Sequence, residues 1–150
     1  MSDQADTLDF DKQICFSLYS AANAMVRAYR PLLQGLDLTY LQYIVMMILW
    51  KEDGISVSSL GQKLHLDSGT LTPLLKRLES KGLLLRKVSK KDERVKCLFL
   101  SDSGRSLKEK ASQIPEKILC KTSVSFESLQ QLKLQCDEIL CSLNNADSKN

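Results

Sequence analysis

The chain has 150 residues, 26% of them charged and 43% hydrophobic, with a formal net charge of +3 and five cysteines. That length suits one domain, and six glycines with three prolines argue against a sandwich or barrel of many short turns. The longest apolar stretch, Tyr43 to Trp50, is far short of a membrane span of roughly 20 residues, and the acidic start MSDQADTLDF lacks the apolar core of a signal peptide, so a cytoplasmic protein with reduced thiols and no disulfide framework is expected.

In chain order, Phe10, Ile14, Leu18, Ala22, Met25 and Tyr29 recur at steps of three and four. This predicts one long helix over 10–30, ended by Pro31. Gly35 to Leu38 reads as a turn. Thr39 caps a second helix, Tyr40 to Lys51, which is apolar nearly all round and therefore a core element. Ile55 is a short extended link, and Ser56 caps a short helix, Val57 to Leu64. After a turn at His65-Leu66, Asp67 caps a fourth helix with Leu71, Leu74, Leu75 and Leu78 as its inward stripe. Pro73 lies near enough to its start to be tolerated, and Gly82 sits where a helix end favours a left-handed residue.

The β-prone runs 83–88 and 95–100, joined by SKKDER, predict a hairpin with a long basic tip. Ser101 opens a further helix through Leu107, Ala111 and Ile114, with Pro115 inside it. Leu119, Cys120 and Val124 follow. A last helix over about 126–143 carries Leu129, Leu132, Cys136, Ile139, Leu140 and Leu143 in a heptad-like seam. Such a seam ordinarily packs on its own domain, and two other long helices offer it a shared layer. The tail ADSKN is polar and expected to be disordered.

Short helix, turn, helix and hairpin in succession make a winged helix-turn-helix. The charge agrees: residues 1–75 carry a net −3, residues 76–121 a net +8, and residues 122–150 a net −2. A basic middle segment is the footprint of a nucleic-acid binder, although a solvated basic face looks the same by charge alone. On the exposed side of the fourth helix, Ser68, Thr70 and Thr72 can reach base edges or phosphates, and Lys76 and Arg77 can pair with guanines or phosphates. At the hairpin tip, Lys90, Lys91 and Arg94 are basic. Arg94 suits a narrow minor groove, and Asp92 can hold it in shape. The expected class is mainly α with a small β-wing: a winged helix-turn-helix over about 39–100, with helical dimerisation regions over about 8–31 and 103–143.

Cys15 poses a separate question. A free cysteine usually packs as a small hydrophobe, and a reactive one needs a thiolate, for which its helix offers no basic neighbour closer than Lys12. Tyr19 lies one turn along and can donate a hydrogen bond. Tyr29 is 14 residues on, roughly 21 Å along a helix, and can reach Cys15 only from a partner subunit. The residues alone leave both roles open.

The stretches LDLTYLQYIVMMILW, LGQKLHLDSGTLTPLLKRLESKGLLLRK and KDERVKCLFLSDSGR resemble the MarR family of winged-helix repressors. CFSLYSAANAMVRAYRPLL resembles its organic-hydroperoxide-sensing branch, the OhrR type. The resemblance runs over about residues 12–120; His65, where the branch usually carries an aromatic, departs from it. It implies a homodimer that clamps a pseudo-palindromic double-stranded DNA operator, needs no cofactor or metal, and answers organic hydroperoxide. It implies that Cys15 is the sensing thiol, met by tyrosines matching Tyr29 and Tyr40 of the other subunit. It further implies that Cys120, standing where two-cysteine members have their resolving thiol, captures the oxidised thiol across subunits; capture by a small thiol, as in members with only the sensing cysteine, stays open as the alternative. Cys97, Cys136 and Cys141 are read as packing residues, with a spare thiol as the alternative for Cys141. Two rivals remain open: a MarR-type repressor released by a small aromatic ligand, and a thiol peroxidase, which is disfavoured because no arginine stands beside Cys15 and the thioredoxin-like βαβ pattern is missing.

Overall fold

A computed structural model of the chain describes residues 9–147. A single 3-10 turn, Phe10–Lys12, precedes α1 (Ile14–Gln34). Then come α2 (Tyr40–Lys51), α3 (Val57–Leu64), α4 (Ser68–Ser80), strands β1 (Leu84–Val88) and β2 (Lys96–Leu100), α5 (Asp102–Ala111), α6 (Ile114–Thr122) and α7 (Phe126–Asp147). The chain forms two compact units that part between Ser112 and Gln113. No helix among the described residues is long and apolar enough to cross a membrane.

In the first unit, the three predicted caps form as expected, and Ser101, expected to open a helix, caps one as well. Thr39 makes a reciprocal capping box with Gln42, whose backbone N–H donates to Thr39 Oγ1 at 3.4 Å while its Oε1 accepts the Thr39 N–H at 3.1 Å. Ser56 accepts from the Ser59 N–H at 3.1 Å, Asp67 from Thr70 at 2.7 Å, and Ser101 from Gly104 at 3.0 Å. Each satisfies a backbone donor that the helix itself leaves unpaired. Tyr43, Val45, Met46 and Leu49 of α2 meet Leu60 of α3, Leu71, Leu75 and Leu78 of α4, and Leu84, Leu98 and Leu100 of the hairpin in one buried core. Each such side chain stabilises the fold by about 1.5–3 kcal/mol.

The hairpin is antiparallel with Leu84 opposite Leu100 and Val88 opposite Lys96. Its inner edge is extended by residues 54–56. Gly54 N–H donates to the Leu98 carbonyl, Leu98 N–H donates to that of Ile55, both at 2.9 Å, and Ser56 bridges Cys97. Gly54 has φ +87°, and a Cβ there would stand 3.2 Å from the Phe99 ring; glycine serves both the turn and the close approach.

Three expectations are corrected. Pro31 does not end α1, which runs three residues further to Gln34. Its ring costs one hydrogen bond in the last turns, and its side chain is exposed. The same helix starts at Ile14 rather than Phe10, because Gln13 is extended at φ −81°, ψ 99°. Third, Ser101 does not open one helix through Pro115. The chain turns at Ser112-Gln113, and Pro115 falls in the first turn of α6, where its missing N–H costs nothing.

In the second unit, α7 extends to Asp147, and Ser148–Asn150 of the expected disordered tail lie outside the described residues, as do residues 1–8. Its predicted seam is largely open: Leu132, Ile139, Leu140 and Leu143 are exposed in the single chain, Leu143 to 61%. The start of the molecule shows the same feature, with Ile14 66% and Tyr19 67% exposed and Phe10 and Phe16 beside them. Apolar surface on this scale marks an interface.

Candidate functional site

The buried stripe of α4, Leu71, Leu75 and Leu78, fixes which side faces outward. Ser68, Thr70, Lys76 and Arg77 are exposed and Thr72 is half-buried. They fall into two rows at helical spacing. Ser68, Thr72 and Lys76 form one; Thr70, Pro73 and Arg77 form the other, which borders a cleft of about 1020 Å3 against α1 and the start of α2. The cleft is walled by Val26, Leu33, Leu38, Tyr40 and Leu74, with Arg30 and Arg77 at its polar edge.

At the hairpin tip, Arg94 is 91% exposed and forks onto Asp92, with Nε 3.2 Å from Oδ1 and Nη2 3.4 Å from Oδ2. Its backbone N–H also donates to Asp92 Oδ1 at 3.0 Å. These bonds hold the Asp92 carboxyl below its usual range. Asp92 therefore shapes the tip, and Arg94 with Lys90 and Lys91 supplies its positive charge. The hairpin is braced below the tip by Lys87 Nζ, 5.5 Å above the Phe99 ring. At its base, Asp53 accepts the Leu100 N–H at 2.8 Å and the Arg105 guanidinium at 2.7 Å.

α4 and the hairpin are fastened together by a pair that sequence reasoning missed. Arg86 of β1 donates to Glu79 of α4 through Nε at 2.9 Å and Nη2 at 2.6 Å, and its backbone N–H does so at 3.2 Å. Those bonds hold the Glu79 carboxyl below the ordinary carboxylate range. Only the fold brings the two residues to one edge; their spacing of seven in sequence suggests nothing by itself.

Cys15 is exposed, in the first turn of α1. Sequence periodicity placed it early in a helix begun at Phe10; the break at Gln13 puts it in the first turn instead. Aromatic rings surround that end: Phe10 and Phe16 are 4.7 Å apart, and Phe16 and Tyr19 6.4 Å. Tyr29 and Tyr40 lie together, ring centroids 4.9 Å apart, near the far end of α1. Tyr43 joins them at 5.9 Å from Tyr29 and is buried to 2% exposure. It belongs to this cluster although the sequence showed it only as a core residue; the three-residue step from Tyr40 was the available signal. Burial pushes the phenols of Tyr29 and Tyr40 up, and for Tyr29 the neighbouring phenols add to it. Both remain O–H donors at neutral pH.

Cys120 is exposed on α6 of the second unit, so it is not a buried helix-end residue. Cys97 and Cys136 are half-buried, and Cys141 is exposed with the Asn145 amide 3.5 Å from its sulfur. His65 holds φ +52° at the end of α3, the left-handed turn of the helix-turn-helix.

Residues 27–111 match the family described as transcriptional regulator SarA/Rot. Over 133 residues the chain is 44% identical to the organic hydroperoxide resistance transcriptional regulator of Bacillus subtilis (strain 168), spanning 89% of this chain and 90% of that protein. Among solved structures, reduced AbfR bound to DNA is 31% identical, with a TM-score of 0.74 over 89% of this chain and 93% of that one. Disulfide-formed AbfR, also 31% identical and spanning 90% of each chain, superposes with a TM-score of 0.59. AbfR is a protein of Staphylococcus epidermidis.

Proposed function

The chain belongs to the MarR/SarA family of winged-helix transcriptional regulators, in its organic-hydroperoxide-responsive branch, and from that premise we propose that Cys15 is its sensor and Cys120 of the partner subunit its resolving thiol. It is a DNA-binding repressor that acts as a homodimer in the cytoplasm. The helical ends, about 8–31 and 103–143, form the dimer layer, and residues 39–100 read DNA. Ser68, Thr70, Thr72, Lys76 and Arg77 face the major groove, and the wing tip, with Arg94 held by Asp92 beside Lys90 and Lys91, enters the minor groove.

The Cys15 thiolate attacks the outer oxygen of the hydroperoxide. A sulfur–oxygen bond forms as the O–O bond breaks, and the alcohol leaves with a proton. Sulfur is thereby oxidised by two electrons to the sulfenic acid. The Cys120 thiolate of the partner subunit then attacks that sulfur, and water leaves as the disulfide closes. Tyr29 and Tyr40 stand 14 or more residues from Cys15 along the chain and donate their O–H groups from the other subunit; Tyr19 flanks the thiol on its own helix. The single observation that carries the reading is the placement of Cys15: exposed, in a first helical turn, and set in uncovered aromatic surface.

Two expected results test it. Treated with one equivalent of an organic hydroperoxide, wild type migrates as a covalent dimer on a non-reducing gel and Cys120→Ser as a monomer; a monomeric wild type would remove Cys120 from the mechanism. On the DNA side, Arg94→Ala weakens operator binding by at least about tenfold at fixed salt, since both wings of the dimer lose a contact. Unchanged affinity on titration would place the wing tip off the DNA.

The cleft favours a second reading, release by a small aromatic anion. Its volume of about 1020 Å3 is ample for such a ligand, and its edge carries Arg30 and Arg77. Release without hydroperoxide, from protein whose thiols stay reduced, identifies it.

A further inference from the structure

Beside the apolar core that α2 shares with α4, a lysine ties the end of α4 to the corner between α1 and α2. Lys81 follows the last residue of α4, and its backbone N–H still caps that helix through the Arg77 carbonyl at 3.0 Å. Its side chain turns away from the DNA-facing rows toward the corner between α1 and α2. There Nζ donates to the Asp37 carbonyl, pairs with Asp37 Oδ2 at 3.2 Å and donates to Gln42 Oε1 at 3.3 Å.

The receiving groups are preset. Asp37 is held left-handed at φ +51° by the turn that closes α1, and Gln42 is only 3% exposed, its Oε1 already engaged by the Thr39 N–H. An ammonium with three donors meets two held acceptors, the Asp37 carbonyl and Gln42 Oε1, and a third in the exposed Asp37 carboxylate.

What lies on either side of this contact gives it a role. Behind it, α1 runs unbroken from Cys15 to Gln34 and carries Tyr29, stacked with Tyr40 at the start of α2. Ahead of it, Glu79 and Arg86 bind α4 to β1, so reading helix and wing move as one body. Along the rest of their facing surfaces, α4 and α1 are separated by the cleft, lined by Thr70, Pro73 and Arg77 on one wall and Val26, Arg30 and Gln34 on the other. A displacement of α1 therefore has an open space to be absorbed in, and beside the apolar packing of α2 on α4 the polar contacts of Lys81 carry it to the end of α4.

We propose that Lys81 is a positioning residue that couples the α1–α2 corner to the reading head, so that oxidation at Cys15 is transmitted to α4 and the wing through its contacts with Asp37 and Gln42. The inference rests on the hydroperoxide-sensing reading above. It differs from a stabilising role in one measurable way. A stabilising contact supports reduced and oxidised protein alike, whereas a coupling contact changes the ratio of their operator affinities.

The test compares wild type, Lys81→Met, Lys81→Arg and Asp37→Asn as full-length dimers. Asn keeps the left-handed conformation within reach and removes the charge. Operator Kd is measured for reduced and hydroperoxide-treated protein at several salt concentrations, and thiol titration confirms equal oxidation of Cys15. The expected result is that the oxidised-to-reduced Kd ratio falls by at least about fivefold in Lys81→Met. Asp37→Asn lowers it less, Lys81→Arg recovers part of it, and the salt slope of reduced protein is unchanged. A ratio equal to wild type in Lys81→Met and Asp37→Asn overturns the proposal while leaving hydroperoxide sensing intact. A salt slope shallower by about 0.9 for each lysine removed would make Lys81 a phosphate contact and overturn it as well. Wild type that keeps its operator after oxidation overturns both readings together.

Discussion

Cys15→Ser binds the operator within about twofold of wild type and does not let go when an organic hydroperoxide is added. The first half of this result follows from similarity of shape. Cys15 is exposed in the single chain, and in the dimer a serine of nearly the same shape still accepts hydrogen bonds from the phenols proposed around it, so the exchange shifts stability by no more than about 0.5 kcal/mol. The second half follows from chemistry: a serine hydroxyl has neither the acidity nor the polarisability to open a peroxide bond, so no sulfenic acid forms and no disulfide can follow. A switch of practical use changes affinity about 100-fold, which is about 2.7 kcal/mol, and serine removes the whole of it. Anisotropy titration at one fixed salt concentration, before and after peroxide and again after a dithiol reductant, reads all three states. If the serine protein still released DNA, the thiol would have no part in the response, and the cleft bordered by Arg30 and Arg77 would be the place to look.

The largest loss of stability is expected from Gly104→Ala. Gly104 lies in the first turn of α5, where alanine is ordinarily the better helix former. Here a Cβ would stand 2.1 Å from the Leu83 carbonyl oxygen and 3.2 Å from the Leu100 side chain. Neither neighbour can yield cheaply. Leu83 leads into β1, its carbonyl accepts the Ser101 N–H at 3.1 Å, and the Gly104 carbonyl accepts the Trp50 indole N–H at 2.8 Å. One methyl group thus forces α5, the hairpin base and α2 apart. The expected cost is at least about 3 kcal/mol, seen as a fall in Tm of about 10 °C. Gly35→Ala is the control. Its Cβ would meet nothing within 4 Å at φ −66°, so it changes stability slightly and in the favourable direction. Equal melting of the two variants would mean that α5 does not approach Leu83 this closely.

Much of the winged helix-turn-helix was legible in the chain because its determinants are short-range. Thr39, Ser56, Asp67 and Ser101 each bond a backbone N–H three residues ahead, so the caps announce their helices without reference to anything distant. The hairpin follows from two β-prone runs and a polar tip, and the Asp92–Arg94 fork spans two residues. Charge clustering and the inward leucines of α4 then indicate which face is left for DNA.

Other features were decided by tertiary structure. The boundary of α1 moved from Phe10 to Ile14 because Gln13 is extended, and that shift of about one turn places Cys15 at a helix end. The Trp50–Gly104 bond spans 54 residues, Lys81–Gln42 spans 39, and Asp53–Arg105 spans 52. No local pattern predicts such contacts, since they exist only after the core has closed and paid the loop entropy between them. The apolar stripes of α1 and α7 were visible as periodicity, but periodicity says only that a face is apolar. That these faces are open in the single chain, and so await another surface, depends on what the remaining elements cover.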